Sequence, residues 1–234
     1  MAFGSARQGI MLVQLDGASG LDERKAPPTY PVRSGKPLTN AWGTLAPGGP
    51  AGASLPGVFP LARPPPPDKQ RFTDTGADVM VEAPYLHHHG DHYFLFVNWG
   101  WCCNGVHSTY SVRVGRSKQI YGPFVDKEGK RLDEGGGTIF LPTRADPEQR
   151  GALRGLPAFV GPGHIAIAPW FPATSLPGGG AHVVRPYDDA HVVSFHSYDP
   201  SAPVGADASG ARLEIRPLLW DKDGWPVVGS QQIY

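Results

Sequence analysis

An all-β fold is predicted for this 234-residue chain by three observations. Gly and Pro together make up about a quarter of it, at 31 and 26 residues, and they cut the sequence into short pieces. No long amphipathic helical period survives between them. The apolar pieces that remain have strand length, are rich in β-branched and aromatic residues, and in several cases alternate with period two. They are Gly9–Leu15, His92–Val97, Tyr110–Gly115, Thr138–Leu141, His164–Ala168, His191–His196 and Ala211–Arg216. Turn residues separate them, as in His89-Gly-Asp91, Lys127-Glu-Gly129 and Asp221-Lys-Asp-Gly224. Many short strands joined this way make a sandwich, a barrel or a propeller, and periodicity does not choose among the three.

One region departs from this pattern. From about Lys25 to Lys69 the chain is dominated by Pro, Gly, Ala and Ser and contains Pro64-Pro-Pro-Pro67. It reads as a long loop or semi-extended linker, either inserted over a binding face or marking a boundary. The expected division is therefore residues 1–24, a Pro/Gly-rich stretch over 25–77, and a main body over 78–234.

Composition excludes some classes of function. Lys+Arg and Asp+Glu balance at 21 each, which does not suit a protein that tracks nucleic-acid phosphates. No run of about 18 apolar residues exists to form a membrane-spanning helix. The segment Met1–Asp16 lacks the basic leader, apolar core and small-residue cleavage site of a signal peptide.

Four features carry candidate chemistry. Glu82 stands in Val81-Glu-Ala-Pro-Tyr85, directly before a strand, where apolar neighbours would partly desolvate its carboxylate. Desolvation favours the protonated form that a general acid needs. The same position also suits a solvated strand-end glutamate. Cys102 and Cys103 are the only cysteines and are adjacent. Neighbouring Cα atoms lie about 3.8 Å apart, below the usual disulfide span of about 4.4–6.8 Å, so the pair either closes a strained vicinal disulfide or stays as two buried thiols. His87-His-His89 reads as an exposed polar turn. His164 follows Gly161-Pro-Gly163 and opens an apolar strand. It is expected at an interior end of that strand, as a satisfied core histidine or as a ligand.

Taken in order, the motifs narrow the reading. The chain runs through Glu-Ala-Pro-Tyr85, a Tyr-Phe-Leu-Phe-Val97 strand, and Cys102-Cys-x-Gly-x-x-Ser-Thr-Tyr110. Val114-Gly-Arg-Ser117, Gly122-Pro-Phe124, Glu134-Gly-Gly-Gly-Thr138 and Gly161-Pro-Gly-His164 follow. Ile215-Arg-Pro-Leu218 and Trp220-Asp-x-Asp-Gly-Trp-Pro226 close the series. This order resembles glycoside hydrolase family 43, and within it the endo-acting arabinanases, over about residues 1–20 and 78–229. The resemblance implies a five-bladed β-propeller and inverting hydrolysis of α-1,5-linked L-arabinan outside the cell, with arabinan or arabino-oligosaccharides as partners and neither nucleic acid nor membrane. It implies Glu82 as proton donor, Ser5 of Phe3-Gly-Ser5 as a sugar contact, and His164 as a holder of calcium through a water shell. Ala6 replaces the aromatic that usually follows the serine.

The resemblance also implies two further carboxylates, an Asp base and an Asp that tunes the acid. Both positions would precede residue 1, and Asp16, Asp74 and Asp78 match neither. The expectation is thus an incomplete propeller lacking about two blades, impaired as an enzyme and prone to self-association, with the missing part encoded upstream. A non-catalytic arabinan-binding remnant is the alternative, and a structural β-domain without a sugar role is the third reading.

Overall fold

The structure is a computed structural model. It describes residues 2–5, 9–13, 58–62, 81–144, 159–170, 173–175, 181–183, 190–201 and 210–230. Thirteen strands appear among them: β1 (Ala2–Ser5), β2 (Gly9–Val13), β3 (Val58–Ala62), β4 (Val81–His89), β5 (His92–Trp99), β6 (Ser111–Ser117), β7 (Thr138–Leu141), β8 (Val160–Pro169), β9 (Ala173–Ser175), β10 (Ala181–Val183), β11 (His191–Tyr198), β12 (Ala211–Trp220) and β13 (Pro226–Val228). They form sheets ordered β1-β2-β3, β10-β9, β13-β12-β11-β8 and β4-β5-β6-β7. The all-β expectation holds.

The Pro/Gly-rich stretch needs a correction. Val58–Ala62 is a strand, paired antiparallel to β2 with Val13 opposite Val58 and Met11 opposite Pro60. Pro60 has no N–H to donate, and β3 lies at the edge of the β1-β2-β3 sheet, the kind of position where strands accept proline. The rest of residues 25–77 lies outside the described residues.

The chain falls into two compact units, Met1–Trp99 with Val114–Thr138, and Gly100–Arg113 with Ile139–Tyr234. The first unit is built on the β4–β5 hairpin. Its turn is Gly90-Asp91, and Gly90 supplies the positive φ, 60°, that so tight a connection requires. Ile10, Val81, Leu95, Val97, Trp99, Phe124 and Leu132 make its buried cluster. Gly115 stands against this cluster: a Cβ there would lie 2.1 Å from Leu132 Cδ1.

Asp126 organises the loop between β6 and β7. It is 5% exposed, and its carboxylate accepts the backbone N–H groups of Glu128 (3.0 Å), Lys130 (2.8 Å) and Gly137 (2.9 Å). The Gly-Gly-Gly run is explained by the same loop, since a Cβ on Gly136 would meet the Lys130 and Arg131 carbonyl oxygens at 2.6 and 2.7 Å. Asp126→Ala strands three donors and is expected to cost about 1.5–3 kcal/mol. Urea denaturation should show the lowered midpoint, and an unchanged midpoint would refute this account of the loop.

In the second unit, the strands of the four-stranded sheet alternate. Val193, Phe195 and Ser197 are buried along β11, and Glu214, Arg216 and Leu218 along β12. Phe195 meets Phe159 edge to face at 5.0 Å between ring centroids. The buried polar pair is internally satisfied: Arg216 donates to Glu214 from Nε at 3.1 Å and Nη2 at 2.7 Å. Removing one partner of such a pair would leave an uncompensated charge in the core. In the turn before β13, Asp221 Oδ1 accepts the N–H groups of Asp223 and Trp225 at 3.0 and 2.9 Å.

Candidate active site

Glu82 is the second residue of β4, with Asn98 of β5 opposite. The strand register shifts between Glu82 and Tyr85, so the acid stands at a bulge. Bulges bend a strand and re-aim its side chains, and they recur beside active sites. Ala83 supplies the bend with φ at 49°, in the left-handed region that a non-glycine residue seldom occupies. Pro84 makes this more unusual, because a following proline disfavours compact conformations in the residue before it. Such local strain, of order 1–3 kcal/mol, persists where the surroundings over-determine the backbone. Val81, fully buried, and Asn98, 1% exposed, hold the segment on either side of the pairing, and Glu82 itself is half-buried. Ser5 closes β1 with its backbone paired to Gly9, and its side chain lies outside the described residues. Asp16, Asp74 and Asp78 also lie outside them.

Cys102 and Cys103 are joined by a disulfide across a Cα–Cα distance of 3.8 Å. The loop around them is tied at several points. Trp101 N–H donates to Thr109 Oγ1 at 2.9 Å, and Thr109 N–H returns to the Trp101 carbonyl at 3.0 Å. Asn104 N–H donates to the buried Ser108 hydroxyl at 3.0 Å. Cys103, with φ at 63°, donates its N–H to the Tyr198 hydroxyl at 3.2 Å. Tyr198→Phe removes that acceptor alone and should lower stability by about 0.5–1.5 kcal/mol, read as a modest drop in melting temperature. A melting temperature equal to that of the parent would remove Tyr198 from the support of this loop.

The placement of His164 corrects the expected interior position. β8 runs through the Gly-Pro-Gly segment rather than starting after it. Its period-two alternation sends Ile165 and Ile167 into the core and leaves His164, Ala166 and Ala168 exposed. His164 also has a positive φ, 52°, at an irregularity in the β8–β11 ladder.

Across that ladder His196 pairs with Gly163, and its ring stands 5.5 Å from the His164 ring, centroid to centroid. Tyr110, fully buried, flanks both rings at 5.8 and 6.1 Å. Burial foremost, then the neighbouring His164, hold the His196 imidazole below its usual pKa, against the opposing effect of a hydrogen bond with the Gly161 backbone. His196 Nε2 is buried without a hydrogen-bond partner, so the Gly161 bond falls to Nδ1. Isolated histidines in the sequence offered no sign of this pairing, which depends on strand register.

These donors do not fit a directly held calcium. Calcium takes six to eight oxygens. A second imidazole and a tyrosine ring are among the neighbours of His164. Among the described residues no three His, Cys, Asp or Glu side chains gather to hold a metal ion.

No protein-family model matches the chain. It is similar to the extracellular exo-α-(1→5)-L-arabinofuranosidase of Cellvibrio japonicus, with 32% identity over 155 residues, covering 66% of this chain and 35% of that protein. Its fold superposes on an α-L-arabinanase from Cellvibrio cellulosa, solved with arabinohexaose, at a TM-score of 0.60 and 25% identity, over 97% of this chain and 52% of the other. A GH43 endo-arabinanase from Bacillus licheniformis gives a TM-score of 0.54 at 26% identity, over 97% and 51%.

The chain is a homologue of the family 43 arabinanases. Its antiparallel sheets are those of the arabinanase propeller. It spans about a third of the curated arabinofuranosidase and about half of the solved arabinanases. The arabinanase likeness rests on separate lines, since sequence identity and superposition lead to the same group of enzymes.

Proposed function

We propose that this protein acts in the inverting hydrolysis of α-1,5-linked L-arabinan outside the cell, with Glu82 as the proton donor. One observation carries the reading: the Glu-Ala-Pro acid stands half-buried at a bulge whose backbone is held in a left-handed conformation, in a homologue of arabinanases. In such a reaction the acid gives its proton to the glycosidic oxygen as the C1–O bond breaks. A water, deprotonated by a second carboxylate about 6.5–9.5 Å from the first, forms the new C1–O bond on the opposite face. Linear arabino-oligosaccharides are the corresponding ligands.

The test is calorimetric titration of the 234-residue chain with arabinohexaose, alongside NMR of the product anomer on linear arabinan. Saturable binding with turnover far below that of an intact arabinanase, any product being inverted, is the expected result. Binding without turnover would replace the enzyme by a sugar-binding module, and absence of both overturns the reading.

A further inference from the structure

We propose that the loop carrying the Cys102–Cys103 disulfide is a contact surface for the furanose rings of an arabinan chain, with Trp101 as its stacking face. The inference rests on the arabinan reading above and adds a contact that Glu82 does not supply. It begins with exposure. Trp101 is 43% exposed, whereas Trp99 and Trp225 are 9% and 4% exposed. An indole at the surface of a loop offers a broad apolar face with one polar N–H at its edge. The C–H groups of a sugar ring can pack on such a face while its hydroxyls stay free for hydrogen bonds. Cys103 and Asn104 follow, both exposed. They add an apolar, polarisable disulfide and an amide that both donates and accepts.

The second observation is how firmly the loop is held. Trp101 exchanges two hydrogen bonds with Thr109, its N–H to Oγ1 and the Thr109 N–H back to its carbonyl. Before it, Gly100 takes a φ of 94°, and a Cβ there would lie 2.6 Å from the Thr109 carbonyl oxygen. After it, the disulfide joins adjacent residues, and the N–H groups of Cys103 and Asn104 donate to the Tyr198 and Ser108 hydroxyls. The backbone is therefore pinned on both sides of an exposed ring. The core gains little burial from this, because Trp101, Cys103 and Asn104 face solvent. A ligand gains directly, since the ring it meets is already ordered.

Charge and position set the ligand class. From Phe94 to Val112 the chain contains no Asp, Glu, Lys or Arg. A phosphate or carboxylate ligand would call for Arg or Lys, so this stretch suits a neutral one. Arabinan is a neutral polymer of furanose rings. Trp101 lies three residues along the chain from Asn98, the cross-strand partner of Glu82.

The test titrates arabinohexaose into the 234-residue chain, followed by calorimetry and by proton–nitrogen NMR of the tryptophan indoles. The Trp101 signal is the one that Trp101→Phe lacks. The expected result is saturable binding that shifts this signal. Trp101→Ala should weaken binding about tenfold or more, the loss typical of a central aromatic anchor. Trp101→Tyr, which keeps a flat ring, should retain most of it. Leu219→Ala removes an exposed apolar side chain elsewhere and should bind as the parent does. The indole signal of the parent chain decides the matter even if a variant fails to fold. Binding that leaves the Trp101 signal unmoved, with Trp101→Ala as tight as the parent, overturns this contact and leaves the arabinan reading standing. Failure of the parent chain to bind arabinohexaose overturns both.

Discussion

In an enzyme that joins this segment to a carboxylate base, Glu82→Gln is expected to cut hydrolysis of linear arabinan about 10²–10⁴-fold, the usual contribution of a positioned general acid. Glutamine keeps the shape and polarity of the side chain, so the bulge between Glu82 and Tyr85 and the pairing with Asn98 should survive. It cannot give up a proton to the leaving oxygen. A sugar alkoxide is a poor leaving group and depends on that proton. A nitrophenolate leaves without it. An aryl α-L-arabinofuranoside should therefore retain far more of its rate, and the ratio of the two losses is the informative quantity. Reducing-sugar release and chromophore release, measured on the same preparations, give that ratio. Equal losses on both substrates would mean that Glu82 is not the proton donor.

Gly161→Ala should destabilise the second unit by about 2–6 kcal/mol, through two effects that a control can separate. Gly161 has φ at 54°, where an L side chain is strained by about 1–3 kcal/mol. A Cβ there would also lie 2.5 Å from Ser108 Cβ and 3.1 Å from Tyr198 Cδ2, an overpacking worth about 1–3 kcal/mol. Ser108 and Tyr198 both accept hydrogen bonds from the disulfide loop, so the collision reaches Asn104 and Cys103 as well. Gly161 N–H donates to Thr143 Oγ1 at 3.1 Å, which limits the backbone's freedom to move away. Gly129 has a comparable φ, 80°, with nothing within 4 Å of an added Cβ. Gly129→Ala should show the backbone strain alone. In a chain of this size each kcal/mol moves the melting temperature by about 2–4 °C, so calorimetry can resolve the two variants. Equal losses would show that the close approach of Ser108 and Tyr198 contributes nothing.

The elements that were legible in the sequence are those with local causes. Thr138–Leu141 was expected as a strand with these bounds, and His191–His196 and Ala211–Arg216 fall within the longer β11 and β12. Alternating side chains write one face of a strand directly into the sequence. The turns at Gly90, Gly129 and Gly224 were legible for the same reason, since each uses a positive φ that glycine adopts without cost. Glu82 was legible as a motif, and the motifs that follow it in chain order resemble those of the arabinanases.

Other features were invisible because their causes lie far along the chain. Val58–Ala62 is a strand paired with β2, inside a stretch whose Pro, Gly, Ala and Ser content reads as a loop. The left-handed backbone at Ala83, Cys103 and His164 runs against residue preference and persists only where tertiary contacts hold it. Asp126 looked like one acid among 21 acidic residues until the loop folded three backbone donors onto it. The sequence by itself determined the class of fold, the hairpin turns and the acid motif, because short-range sterics and alternation decide them. The tertiary structure alone decided that His164 faces outward beside His196. That pairing depends on the register of β8 against β11, and register is settled by which faces both strands bury, not by either strand's own residues.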